Sequence, residues 1–232
     1  MPDESLRKAT MNVMKKIIAG VTAFALALLA PQLVQAQGTM TVLSNFDQTT
    51  AGSIAVGSDS WLFEAFRTGT NPSGYVLNSI QLEMAAGSGN PSNFTVMIYN
   101  NPPAGVSPGN SIGTLNGSLN PVAGGIFTFT TASSITLSSS KMYFIVLTAG
   151  TTVANGAYEW DYTSVNSYNP NGGWSGTGDF SSSSDGSDYS NYNYLSGDYA
   201  QYAINVTDVP EPGILGLLGL GGLAFLWHRR RF

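Results

Sequence analysis

The chain reads as all-β: an antiparallel, jelly-roll-like β-sandwich, with an N-terminal signal helix and a short C-terminal transmembrane helix at its ends. Three observations lead there. Runs rich in β-branched and aromatic residues recur along the middle of the chain, Gly- and Pro-rich turns separate them, and no stretch between them shows a helical period. Short strands without crossover helices pair as antiparallel neighbours and pack in two layers, with loops gathered at the ends.

The runs, in order, are Thr41 to Phe46, Trp61 to Arg67, Tyr75 to Met84, Phe94 to Tyr99, Ile126 to Thr130, Met142 to Thr148, Ala157 to Thr163 and Tyr199 to Val206. In the third, Val76, Asn78, Ile80, Leu82 and Met84 alternate with Leu77, Ser79, Gln81 and Glu83, so period two assigns the first set to the core face. Turns are expected at Gly87-Ser88-Gly89-Asn90-Pro91, Asn101-Pro102-Pro103, Ser107-Pro108-Gly109-Asn110 and Gly124-Gly125.

Composition removes several functions. The 232 residues include no Cys and one His, His228, close to the C-terminus. A folded middle without thiol or imidazole has no disulfide framework, no Cys nucleophile and no Ser-His-Asp relay, and it lacks the usual ligands of catalytic zinc. Between Gln37 and Val209 the only basic residues are Arg67 and Lys141, against eleven acids, a formal charge of 2 − 11 = −9. Such a balance repels phosphate backbones, so no nucleic-acid partner is expected.

The two ends read as addresses. Lys15 and Lys16 precede an apolar run from Ile17 to Ala30, then Pro31 and Val34-Gln35-Ala36, the layout of a secretory signal. Signal peptidase of the general secretion machinery is expected to cut between Ala36 and Gln37, with translation starting at Met1, Met11 or Met14. The chain thus divides into a signal peptide at 1–36, a β-domain at 37–208 and a terminal segment at 209–232. That last segment opens with Val209-Pro210-Glu211-Pro212, where two prolines keep the backbone extended and accessible. Gly213 to Trp227 is apolar and Gly-rich, and as a helix at ~1.5 Å per residue it falls short of a ~30 Å hydrocarbon core. Arg229, Arg230 and Arg231, just before the final Phe232, form a membrane-stop cluster on the cytoplasmic side.

These three parts, in this order, resemble the PEP-CTERM protein-sorting domain. The resemblance implies recognition of Pro210, Glu211 and Pro212 by an exosortase, a membrane-embedded enzyme of Gram-negative bacteria that also make extracellular polysaccharide. It further implies transient residence in the inner membrane and delivery to the cell surface or extracellular matrix. The middle resembles the choice-of-anchor R domain through Phe66-Arg67-Thr68-Gly69, Gly74-Tyr75-Val76-Leu77-Asn78-Ser79-Ile80, Phe94-Thr95-Val96-Met97-Ile98-Tyr99 and Tyr143-Phe144-Ile145-Val146. That family implies an extracellular β-domain and assigns no activity.

Within the domain, three groups of residues have chemistry to offer. Glu159 and Asp161, two apart on one strand, share a face opposite Tyr158, Trp160 and Tyr162. They read either as a solvated face or as paired carboxylates for glycoside hydrolysis or calcium. Asp179, Asp185 and Asp188 lie in a Ser- and Tyr-rich stretch that reads as a polar loop or as an oxygen-only calcium site, calcium being the one cofactor in view. Trp174, after the turn Asn171-Gly172-Gly173, is expected to be exposed and, with Trp61, to offer a stacking surface for sugars. The overall reading is a non-enzymatic, exported surface or matrix protein with a structural or adhesive role in exopolysaccharide or biofilm. A carbohydrate-binding module and a carboxylate-based glycoside hydrolase stand as alternatives.

Overall fold

A computed structural model describes residues 38–102, 107–178, 180–185, 189 and 192–210. One compact unit spans Gln37–Val209. The expected signal helix, the cleavage site Ala36/Gln37, Glu211 and Pro212, the apolar run 213–227 and the Arg229 to Arg231 cluster lie outside the described residues.

The unit is built from strands β1 (Met40–Ser44), β2 (Gly52–Val56), β3 (Trp61–Arg67), β4 (Tyr75–Gly89), β5 (Thr95–Asn100), β6 (Ser111–Asn116), β7 (Ala123–Leu137), β8 (Met142–Thr148), β9 (Gly156–Thr163), β10 (Ser175–Gly176), β11 (Ser181–Ser183), β12 (Asn193–Tyr194), β13 (Tyr199–Ala200) and β14 (Tyr202–Asp208). Every pairing is antiparallel, as short connections require. The strands form one hydrogen-bonded sheet in the order β1-β14-β4-β7-β6-β5-β8-β3-β11-β12, with β9 branching from β4 and pairing also with β2 and β13. The expected sandwich is thus a single sheet that curls on itself. Its two halves stay joined where Leu115 and Asn116 of β6 pair with Thr131 and Thr130 of β7.

The inner faces enclose one apolar core drawn from both halves: Leu77, Ile80 and Leu82 of β4 and Tyr202 and Ile204 of β14 meet Val96 and Ile98 of β5 and Ile145 and Leu147 of β8. Aromatic rings fill the space between, with Phe94 4.9 Å from Tyr158 and 5.6 Å from Phe129. β3 and β8 are buried on both faces, because a second cluster of Phe63, Ala65, Phe144, Val146 and Tyr189 lies on their outer side.

The alternation assigned to the third run is corrected at its start. Tyr75 and Leu77 are buried, whereas Val76 and Asn78 turn outward; from Ile80 on, even-numbered residues face the core as expected. A bulge between Leu77 and Ser79 against β7, with a matching shift between Asn205 and Val206 of β14, moves the pleat by one residue and exchanges the faces. Asn78, placed outside, bonds the hydroxyls of Thr39 (2.9 Å) and Thr207 (2.8 Å). Two expected turns also became strand: Gly87–Gly89 extends β4, and Gly124-Gly125 lies inside β7 as an irregularity with φ of 74° and 110°.

Candidate functional site

The domain ends where the terminal segment begins, and one side chain holds the junction. Asn71 sits in the turn before β4; its carbonyl oxygen side accepts from the Ser73 N–H (3.0 Å), and its amide donates to the carbonyls of Gly74 (3.0 Å) and Val209 (3.1 Å). The Val209 N–H donates in turn to the Gly74 carbonyl (3.1 Å). Gly74 has φ 80°, a conformation that makes glycine the fitting residue in this turn. Val209 is half-buried, and Pro210, the next residue, is exposed. The chain is therefore clamped up to the residue before Pro210.

Asp161 and Glu159 do share the outer face of β9, with Tyr158 and Trp160 in the core opposite. The face is solvated only in part: Glu159 is half-buried, whereas Asp161 is only 8% exposed. The segment before β2 runs beside it, with the Ala51 N–H bonded to the Tyr162 carbonyl and the Gln201 side chain tied to Gln48 and Thr50. The register Met84↔Trp160 and Ala85↔Glu159 brings Glu83 of β4 opposite Asp161, a third carboxylate that composition alone does not place there. Burial first, then the charges of Glu83 and Glu159, pushes the Asp161 carboxyl up to about 6. Burial also raises Glu83, whose Oε2 is enclosed without a hydrogen-bond partner. Glu159 accepts from the Ser53 hydroxyl at 3.1 Å. What this group can do is hold a proton near neutral pH. Among the described residues no set of three or more acids or histidines is arranged to hold a metal ion.

Trp174 corrects the expectation of an exposed stacking residue. Its turn forms as expected, with φ of 61° at Gly172 and 80° at Gly173, but it folds the indole inward, leaving it 2% exposed. The ring stacks on Phe66 (6.0 Å, 15°) and meets the edge of Tyr75 at 4.8 Å. Gly69 permits this closeness, since a Cβ there would collide with the Gly172 carbonyl and the indole. Trp61 is half-buried at the rim of the outer cluster, its N–H donating to the Ser58 carbonyl at 3.2 Å. Of the calcium candidates, Asp185 is exposed, whereas Asp179 and Asp188 lie outside the described residues.

A β-domain whose chain runs on into Pro210, Glu211 and Pro212 is the layout of a protein carrying a C-terminal sorting signal. Residues 208–231 match the family model for the PEP-CTERM protein-sorting motif. The chain thus carries the signal of an exported, exosortase-sorted protein, which implies an exosortase as processing partner and a surface or extracellular destination. No curated protein matches the chain.

Proposed function

We propose that this protein is a non-enzymatic building or adhesive component of the cell surface or extracellular matrix, delivered by an exosortase and associated there with exopolysaccharide. The observation that carries the proposal is the sorting motif at 208–231, joined to a domain that holds Val209 by hydrogen bonds. The strongly acidic middle and the absence of Cys and His between Gln37 and Val209 support a role in contact and architecture. The test is the intact mass and cell fraction of the protein in its host, beside a variant with Pro210, Glu211 and Pro212 all replaced by Ala. Processing predicts a natural product ending near Glu211 outside the inner membrane and a variant retaining Arg231 in it. A natural protein that keeps Phe232 in the inner membrane would sink the sorting account.

A second reading rests on Asp161, whose raised carboxyl has the protonation a glycosidase acid needs. It requires turnover of a glycoside that Asp161→Asn abolishes while the fold is kept.

A further inference from the structure

Gln201, the single residue between β13 and β14, is 0% exposed, and its side-chain amide is bonded at both ends. The Thr50 hydroxyl donates to Oε1 at 2.7 Å, and Nε2 donates to the Gln48 carbonyl at 3.0 Å. Thr50 and Gln201 are 151 residues apart, so only the fold brings them together. Because a carbonyl bond is about 1.2 Å long, Thr50 Oγ1 lies within about 4 Å of the amide carbon Cδ. A small side-chain rotation from there reaches the about 3–3.5 Å of a nucleophile poised on an acyl carbon.

Two carboxylates flank this pair. The Gln201 N–H donates to the Asp161 carbonyl at 2.9 Å, which continues the register Ala200↔Tyr162 and sets Gln201 opposite Asp161. The Gln201 carbonyl accepts from the Glu83 N–H at 3.2 Å, which continues Tyr202↔Leu82 and sets Gln201 beside Glu83 as well. Opposed residues of a ladder share a face, with Cβ atoms about 4.5–5.5 Å apart. Of the acids on this face Glu159 is engaged by the Ser53 hydroxyl, whereas burial and the neighbouring charges push the Asp161 carboxyl up to about 6. A carboxyl that gains and loses its proton near neutral pH serves in turn as base and as acid. A hydroxyl, a held carboxamide and such a proton carrier are the parts of an acyl transfer from nitrogen to oxygen.

We propose that Thr50 and Gln201 join in an intramolecular ester, with Asp161 as the proton carrier. Oγ1 attacks Cδ while the Asp161 carboxylate takes the hydroxyl proton. That proton then passes to Nε2, the Cδ–Nε2 bond breaks and ammonia leaves. One C–O bond replaces one C–N bond, and no oxidant or further reactant is consumed. The burial of Gln201 keeps water from the ester, and the position of Thr50 at the surface gives ammonia a way out. The bond ties the segment before β2 to the head of β14, the strand that runs on to Val209, in a chain with no cysteine for a disulfide. It does not depend on the sorting reading.

Trypsin supplies the test, because Arg67 and Lys141 both lie between Thr50 and Gln201 in the sequence. The full chain, purified in detergent, is unfolded in urea, digested and weighed. Expected is one species that joins the piece ending at Arg67 to the piece beginning at Met142, lighter than their sum by one ammonia and split by alkaline hydroxylamine, which cleaves esters. Thr50→Val, at an exposed position, should give two separate pieces, whereas Thr50→Ser keeps a hydroxyl and should still join. Asp161→Asn should slow joining in freshly made protein by about a hundredfold, the effect of removing a general base. Separate pieces of full mass from folded wild type, or a joined species that persists in Thr50→Val, would overturn the proposal. So would an ammonia loss confined to one piece, such as cyclisation of an N-terminal Gln37.

Discussion

The Asn71 side-chain amide donates to the Val209 carbonyl at 3.1 Å, tying a turn near the start of the domain to the residue that precedes Pro210. The two are 138 residues apart in sequence. The bond places the root of the sorting strip on the rigid sheet, beside the β4–β14 pairing Tyr75↔Asp208.

Asn71→Ala removes the donors to Gly74 and Val209 and the acceptor for Ser73 together. A loss of about 1–2 kcal/mol in urea unfolding is expected, less than the sum of separate bonds because the groups lie near solvent. The Val209 amide should also exchange hydrogen faster, while Pro-Glu-Pro itself is unaltered. Unchanged exchange at Val209 would show that the clamp does not hold the strip.

Asp161 makes stability depend on pH. Its carboxyl is raised from 3.8 to about 6, chiefly by burial, then by Glu83 and Glu159. The folded state therefore binds more protons than the unfolded chain in that window. The stabilisation is full below the unfolded value and is lost as pH rises through about 6. After allowance for solvent screening the loss amounts to about 1 kcal/mol. Melting temperatures between pH 4 and pH 8 check this: Asp161→Asn should flatten this part of the profile and stabilise the domain at pH 8.

Trp174→Ala deletes a ring packed against Phe66 and Tyr75 and should cost about 3–5 kcal/mol, seen as a lower melting temperature. Trp174→Phe should cost much less, since it keeps an aromatic there and removes an indole N–H that is buried without a partner. Equal losses in both variants would contradict this account of the packing.

Asn45 is fully buried, donates to the Ala200 carbonyl at 2.9 Å and accepts from the Tyr202 N–H at 2.9 Å, where β13 gives way to β14. Asn45→Ala leaves both backbone groups unpaired inside the protein, so about 2–4 kcal/mol should be lost in chemical denaturation. Asn45→Asp keeps the acceptor but not the donor and should fall between.

What was legible in the sequence follows from what each segment owes to itself. Trp61 to Arg67 and Met142 to Thr148 match β3 and β8 residue for residue, because most of their side chains are apolar or aromatic and want burial wherever the chain goes. β2, β6 and β11 went unseen. Ser181–Ser183 is all serine, and Gly52–Val56 and Ser111–Asn116 dilute their apolar residues with glycine, serine and other small or polar ones; they become strands because β3, β9 and β5 offer them hydrogen-bonding edges. The pleat of β4 could not be read through its bulge, which the pairing with β7 and β14 decides. The turn before Trp174 was legible, since Gly172 and Gly173 encode it, but not the direction in which it throws the indole.

By itself the sequence determined the all-β class, the acidic and imidazole-free middle, and the order Pro-Glu-Pro, apolar run, Arg cluster that matches a sorting motif. These are local or compositional properties, carried by neighbouring residues and independent of distant parts of the chain. Tertiary structure alone decided that Glu83 faces Asp161, that Asn71 holds Val209, and that Tyr99, Tyr189 and Phe63 share an outer face. Each of those relationships joins residues far apart in sequence. It arises from strand register, which is set by hydrogen bonding and burial summed over the whole sheet.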